Sequence, residues 1–154
     1  MDDEEGMQLA LSEAKLALRH EDVPIGAVIE ANGLIVASRH NERERLADPC
    51  AHAEILAIRD AAKWLGSWRL TGLTMFVTLE PCSMCAGALV ASRIERLVFG
   101  ARDVRAGACG SLYNICEDPR LNHRVSVTSG TQATDCSILL TEFFKQRRKA
   151  NDHF

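Results

Sequence analysis

The sequence predicts an α/β layered domain with a mixed central sheet. Three observations predict it. The apolar spacing switches between helical and strand periods along the chain. An Asn32-Gly33 pair separates two short apolar runs, the signal of an antiparallel hairpin. The later strand-like runs are separated by helical segments, which favours parallel pairing in a sheet covered on both faces.

Taken in order, Met7, Ala10, Leu11, Ala14, Ala17 and Leu18 follow helical spacing, so the first twenty residues read as an amphipathic helix. Ile25–Glu30 and Leu34–Ser38 are the two hairpin strands. Ile55, Ile58, Ala62 and Leu65 mark a second helical stripe that ends near Gly66. Leu73–Leu79 is a third strand, rich in β-branched and apolar residues. Cys82–Ser92 is a short helix, and Ile94–Phe99 a fourth strand. A glycine-containing loop follows, with a short helical or turn segment near Leu112–Ile115 and a fifth strand over Arg124–Thr128. Cys136, Leu139, Leu140, Phe143 and Phe144 form the core stripe of a C-terminal helix.

The chain has 154 residues, 47% apolar and 25% charged, which suits one domain with a core that needs no disulfides. Aromatic residues make up only 5%, so that core is expected to be aliphatic. There are no repeats and no linker, so residues 1–154 read as one domain. The longest apolar runs are strand-sized, so no membrane span is expected. The acidic start, Met1-Asp2-Asp3-Glu4-Glu5, is unlike a secretory signal, and the expected location is the cytoplasm. Six cysteines would permit a disulfide framework, but a close cysteine pair in a cytosolic chain more often binds metal or does redox chemistry.

The net charge of −3 argues against a protein that coats nucleic acid over its whole surface. A local patch is still available at Lys145-Gln146-Arg147-Arg148-Lys149. By charge alone that patch reads first as a solvated last helical turn, which the helix dipole favours.

Two short motifs carry chemistry. His52-Ala53-Glu54 opens the second helix, and Pro81-Cys82-Ser83-Met84-Cys85 opens the third. Cysteines three apart on a helix share a face and can grip one ion, and a helix N-terminus favours the thiolate. Zinc takes about four nitrogen and sulfur ligands. His52, Cys82 and Cys85 supply three, and the open fourth position admits water, which zinc activates at neutral pH. Residues two apart on a regular helix point to different sides, so His52 and Glu54 must lie in the first turn or just before it to reach one site. Glu54 then serves as proton shuttle rather than ligand. A redox Cys-x-x-Cys would leave His52 and Glu54 unexplained. Cys50, two residues from His52, is a rival ligand. Cys109, Cys116 and Cys136 read as small apolar residues. His20, His40, His123 and His153 read as surface or hydrogen-bonded histidines.

The combination H-x-E … P-C-x-x-C resembles the signature of zinc nucleobase deaminases. Beyond it, the chain closely resembles the bacterial tRNA-specific adenosine deaminases over nearly its whole length. The resemblance is carried by Val23-Pro24-Ile25-Gly26-Ala27, Asn41, Asp48-Pro49, Ala51-His52-Ala53-Glu54, Thr78-Leu79-Glu80-Pro81-Cys82 and Met84-Cys85-Ala86-Gly87. It continues through Gly100-Ala101-Arg102-Asp103, Gly110-Ser111-Leu112, Asn122-His123-Arg124 and Phe143-Phe144. Cys50 stands where a threonine is expected in relatives.

The resemblance implies a cytidine deaminase-like three-layer α/β/α sandwich with a five-stranded mixed sheet, one zinc ion per subunit and a homodimer. It implies conversion of the wobble adenosine of an arginine tRNA anticodon to inosine, with the anticodon stem-loop as partner. Asn41 would contact the target base, Asp103 and Phe144 would lie near the anticodon loop, and Arg147 and its basic neighbours would meet phosphates. Two rival readings remain. One is a deaminase of free cytosine, cytidine or guanine, which shares the zinc site but not the segments after Gly100. The other is a zinc-stabilised RNA-binding module, which would need no Glu54.

Overall fold

The computed structural model describes residues 1–151. Helix α1 (Asp3–Leu16) continues into a 3-10 turn over Ala17–His20. Asp2 caps α1: its side chain accepts the Glu5 amide, and the Glu5 side chain accepts the Asp2 amide in return. Strands β1 (Gly26–Ala31) and β2 (Leu34–His40) form the antiparallel hairpin, with Asn32 and Gly33 both at positive φ. Then come a single-turn helix α2 (Arg43–Leu46), helix α3 (Ala53–Leu65), strand β3 (Thr74–Leu79), helix α4 (Ser83–Ala91), strand β4 (Arg96–Ala101), strand β5 (Ser126–Ser129) and helix α5 (Ala133–Asn151).

The five strands form one sheet in the order β2-β1-β3-β4-β5. The pairings β1–β2 and β1–β3 are antiparallel, and β3–β4 and β4–β5 parallel, so the sheet is mixed as expected. The alternation of each central strand divides the core. Val28, Phe76 and Val98 face α1 and the start of α5, with Met7, Ala10, Leu11 and Cys136. Ala27, Ile29, Met75, Val77, Leu97 and Phe99 face α3 and α4, with Ala53, Ala57, Ala61, Ala86 and Leu89. Strands buried on both faces read as nearly continuous apolar runs, as these do. The small residues of α1, α3 and α4 let the helices approach the sheet closely. Gly26 is the extreme case, because a Cβ there would lie 2.1 Å from the Ala10 carbonyl oxygen. No described helix is long and apolar enough to cross a membrane.

Several boundaries differ from the sequence expectation. Strand β4 starts at Arg96, not Ile94, because the Ile94 amide bonds back to the Leu89 carbonyl and closes the turn after α4. The Ile94 side chain is nevertheless fully buried. Strand β5 starts at Ser126, not Arg124, because the Val125 amide is taken by the Cys116 carbonyl. The segment Leu112–Ile115 is turn and loop, tied by the isolated bridge between Cys109 and Asn114. Strand β2 runs on to His40, and α2 was not foreseen. The largest correction concerns α5. Only Cys136 is buried among the described residues of this helix, Leu139 packs partly on the core, and Phe144 is 42% exposed. The helix touches β4 and β3 through its early turns and then overhangs the sheet, so Phe143 and Phe144 are not core.

Candidate active site

Two helix N-termini meet beyond the end of β3. His52 stands at the N-cap of α3 with extended backbone, and Cys82 at the N-cap of α4. The chain leaves β3 at Leu79, and Glu80-Pro81 turns it into α4, which suits proline's fixed φ and missing donor. Cys85 is one turn further on and fully buried. The Nδ1 atom of His52 lies 3.7 Å from Sγ of Cys82 and 3.5 Å from Sγ of Cys85. These three donor atoms all lie within 4.8 Å of one another.

Protonation follows from the contacts. The Cys85 thiol is hydrogen-bonded to Cys82, and with the His52 ring and the Cys85 amide it holds the Cys82 thiol down at about 3. The same bond to Cys82, with burial, pushes the Cys85 thiol up. His52 is raised, chiefly by its bond to Cys82. The two cysteine sulfurs and the imidazole nitrogen thus converge on one point. Two sulfurs and one nitrogen are the donor set a zinc ion takes, and the set fits that metal.

Glu54 occupies the second position of α3 and is 4% exposed. Burial raises its carboxyl above the ordinary range. Glu54 lines a cavity of about 240 Å³ together with His52, Cys82, Asn41, Asp103 and Phe144. Asn41 donates from Nδ2 to the Val23 carbonyl (3.2 Å) and accepts the Arg43 amide at Oδ1 (3.2 Å). Asp103 accepts the amides of Arg105 and Ala106 at Oδ1, so it also caps its own loop. Arg147 stands outside this cavity. It lines an adjoining groove of about 590 Å³ with Arg102, Arg105 and Arg148, and Asp103 and Phe144 belong to both spaces. The Arg147 guanidinium lies over the Phe143 ring at 5.3 Å.

The structure therefore brings six of the eight expected site residues, His52, Glu54, Cys82, Asn41, Asp103 and Phe144, to one cavity; Cys85 is buried behind it against His52, and Arg147 lies in the adjoining groove. Cys50 is not among the converging donors: it is exposed on the turn after Asp48, whose carboxylate accepts its amide. Cys109, Cys116 and Cys136 are buried, as expected. His20 and His40 are hydrogen-bonded, and His123 donates from Nε2 to the Ile94 carbonyl (2.8 Å). His153 lies outside the described residues.

Glu80 was missed. It is 2% exposed, and both its carboxylate oxygens accept hydrogen bonds from the 103–111 loop. The Asp103 amide and the Ser111 hydroxyl reach Oε1, and the Cys109 and Ser111 amides reach Oε2. The loop that supplies Asp103 to the cavity is thereby fixed to the residue two before Cys82. The only hint in the sequence is a carboxylate set between an apolar strand and Pro81, which by itself reads as a strand-end charge.

Residues 1–148 match the MafB19-like deaminase family model. A tRNA-specific adenosine deaminase of Bacillus subtilis (strain 168) is 50% identical over 147 residues, 96% of this chain and 91% of that protein. A solved structure from a study of A-to-I editing by tRNA:A34 deaminases at the wobble position superposes with a TM-score of 0.85 at 42% identity, over 88% of this chain and 99% of that one. A guanine deaminase of Bacillus subtilis gives 0.66 at 28% identity, over 97% of this chain and 95% of that one. The sandwich is thus the cytidine deaminase-like fold. The fold, the converging His and Cys donors and these likenesses together make the chain a member of the tRNA-specific adenosine deaminase family, matched by the MafB19-like deaminase model.

Proposed function

We propose that this protein hydrolyses adenosine to inosine at the wobble position of a tRNA anticodon, that of an arginine tRNA, releasing ammonia. The reading places it in the cytoplasm as a homodimer acting on the anticodon stem-loop, with one zinc ion per subunit held by His52, Cys82 and Cys85. When bound there, zinc supplies the Lewis acidity that makes water a nucleophile near neutral pH.

The observation that carries the reading is Glu54: a buried carboxyl, raised by its burial, in the same cavity as the converging donors. A carboxyl raised in this way holds a proton more readily than an exposed one and can pass it on. It accepts the proton of the attacking water and delivers it to N1 of the purine as the water oxygen bonds to C6. It then carries the second proton to the exocyclic amino group, and the C6–N6 bond breaks. Asn41, held by Val23 and Arg43, presents its amide to the purine edge. Phe144 offers an exposed ring on which a splayed loop base can stack, and Asp103 borders the same opening. Arg102, Arg105, Arg147 and Arg148 line the outer groove where the phosphates of a loop would run. A deaminase of free bases has no use for that groove.

The test is an inosine assay on purified protein, with three substrates in parallel: an arginine tRNA anticodon stem-loop with adenosine at the wobble position, free adenosine, and free cytidine or guanine. Inosine in the stem-loop alone is the expected result. Turnover of a free base only would keep the chemistry and overturn the substrate. No turnover with zinc bound would favour a binding module.

A further inference from the structure

A second group of metal-ligating side chains lies outside this cavity. His20 ends the 3-10 turn after α1, His40 ends β2, and Glu42 precedes α2. The Nε2 atoms of the two histidines face each other at 3.1 Å. Nε2 of His40 lies 3.6 Å from Oε1 of Glu42, and the three donor atoms all fall within 4.8 Å of one another. None of the three lines the active-site cavity.

The hydrogen-bond accounting at this cluster is specific. Nδ1 of His20 lies 2.5 Å from Oδ2 of Asp22, and Nδ1 of His40 lies 2.8 Å from Oε1 of Glu13. An ionised carboxylate can only accept, so both Nδ1 atoms donate. In a neutral imidazole the other nitrogen is then an acceptor. Two acceptor lone pairs therefore point at each other across 3.1 Å, with a carboxylate oxygen beside them. That arrangement repels itself unless something positive sits between the rings. An Nδ1–H held by a carboxylate is also the usual way a protein orients a metal-binding histidine. Asp22 is itself fixed, because its oxygens accept the Glu44 and Arg45 amides at the start of α2.

We propose that His20, His40 and Glu42 form a second, structural metal site for a divalent ion of the imidazole-preferring class, such as zinc. Asp22 and Glu13 orient its two imidazoles. Arg45 holds the same Glu42 oxygen at 3.1 Å, and its half-exposed side chain gives way to the metal. Arg39 stays on the other oxygen. The site ties the turn after α1 to the corner between β2 and α2. Asn41 and Arg43, which line the catalytic cavity, are the immediate chain neighbours of Glu42. The metal thus braces one wall of that cavity from behind.

The test counts metal on tag-free, full-length protein equilibrated with excess zinc and desalted. Two zinc ions per chain are expected, falling to one in His20→Gln and in His40→Gln. A Cys82→Ser/Cys85→Ser double variant is expected to keep the second ion. Loaded with cobalt, that variant should show visible d–d absorption without a thiolate charge-transfer band, which settles the matter even if the histidine variants fold poorly. One zinc per wild-type chain, or no cobalt on the double variant, would overturn the proposal and leave a shared proton between the imidazoles.

Discussion

Glu80 holds Ser111 through both of its carboxylate oxygens: the Ser111 hydroxyl donates to Oε1 at 2.5 Å and the Ser111 amide to Oε2 at 3.0 Å. Burial alone would raise this carboxyl, but the Ser111 hydroxyl and the amides of Ser111, Asp103 and Cys109 outweigh it and hold the group below its ordinary 4.5. The unfolded chain therefore takes up this proton first. The stability Glu80 adds is complete above 4.5 and is lost as the pH falls through the lower folded value. In Glu80→Gln an amide group must face N–H donors, and the cost at neutral pH is about 1–3 kcal/mol. Urea unfolding should show that loss. It should also show a flatter stability profile for the variant between about pH 5 and about pH 3.

Removal of zinc by a chelator should abolish inosine formation and leave far-ultraviolet circular dichroism nearly unchanged. The sheet and its two apolar faces are built from side chains that need no metal. Unfolding on chelation would instead mark the ion as structural. Glu54→Gln should keep zinc and lose about 10²–10⁴ in turnover, the range for a general acid–base group.

Gly26→Ala should be among the most damaging single-methyl additions in the chain. The new Cβ meets backbone of α1, at 2.1 Å from Ala10 O and 2.6 Å from Ala14 N, and backbone cannot rotate away. A cost of about 3 kcal/mol corresponds to a fall in Tm of about 6–12 °C. Gly87→Ala in α4 makes the contrast, because nothing lies within 4 Å of its Cβ position. There the loss of backbone freedom in the unfolded chain should stabilise by about 0.4–1 kcal/mol.

Arg147→Ala should weaken stem-loop binding and reduce the slope of log affinity against log salt by about 1. Fluorescence anisotropy with a labelled stem-loop at several salt concentrations measures both. An unchanged slope would remove Arg147 from the RNA path.

Much of the architecture was legible because it depends on periodicity. The apolar runs of β1, β3 and β4 and the spacing of Met7, Ala10, Leu11, Ala14 and Ala17 are local patterns, and they mark covered strands and the buried side of α1; in α3 the stripe Ile55, Ile58, Ala62 and Leu65 is at most partly buried, and Ala53, Leu56, Ala57 and Ala61 pack inward instead. The converging donors were legible because each motif sits at a helix start, where spacing dictates direction. What could not be read were features that depend on distant partners. Phe144 has the spacing of a core residue, and only the overhang of α5 past the sheet exposes it. Ile94 has the character of a strand residue, yet its amide is claimed by α4. Glu80 looks like an ordinary charge until the loop some thirty residues later folds onto it. The facing of His20 and His40 likewise exists only after the hairpin returns β2 beside the end of α1.

The loop held by Glu80 has two sides with different freedom. The backbone of Asp103, Cys109 and Ser111 is committed to one carboxylate, and Gly107 leaves no room for a side chain, since its Cβ would lie 2.4 Å from that carboxylate. The exposed side chains of Val104, Arg105 and Ala106 make no bond to Glu80 and face the groove. On the proposed function, Val104 and Arg105 can therefore change, and with them the nucleotides met in the groove, while the donor set a few residues from the anchor is left undisturbed. An evolving lineage would change which nucleic acids it accepts long before it changed the reaction it performs on them.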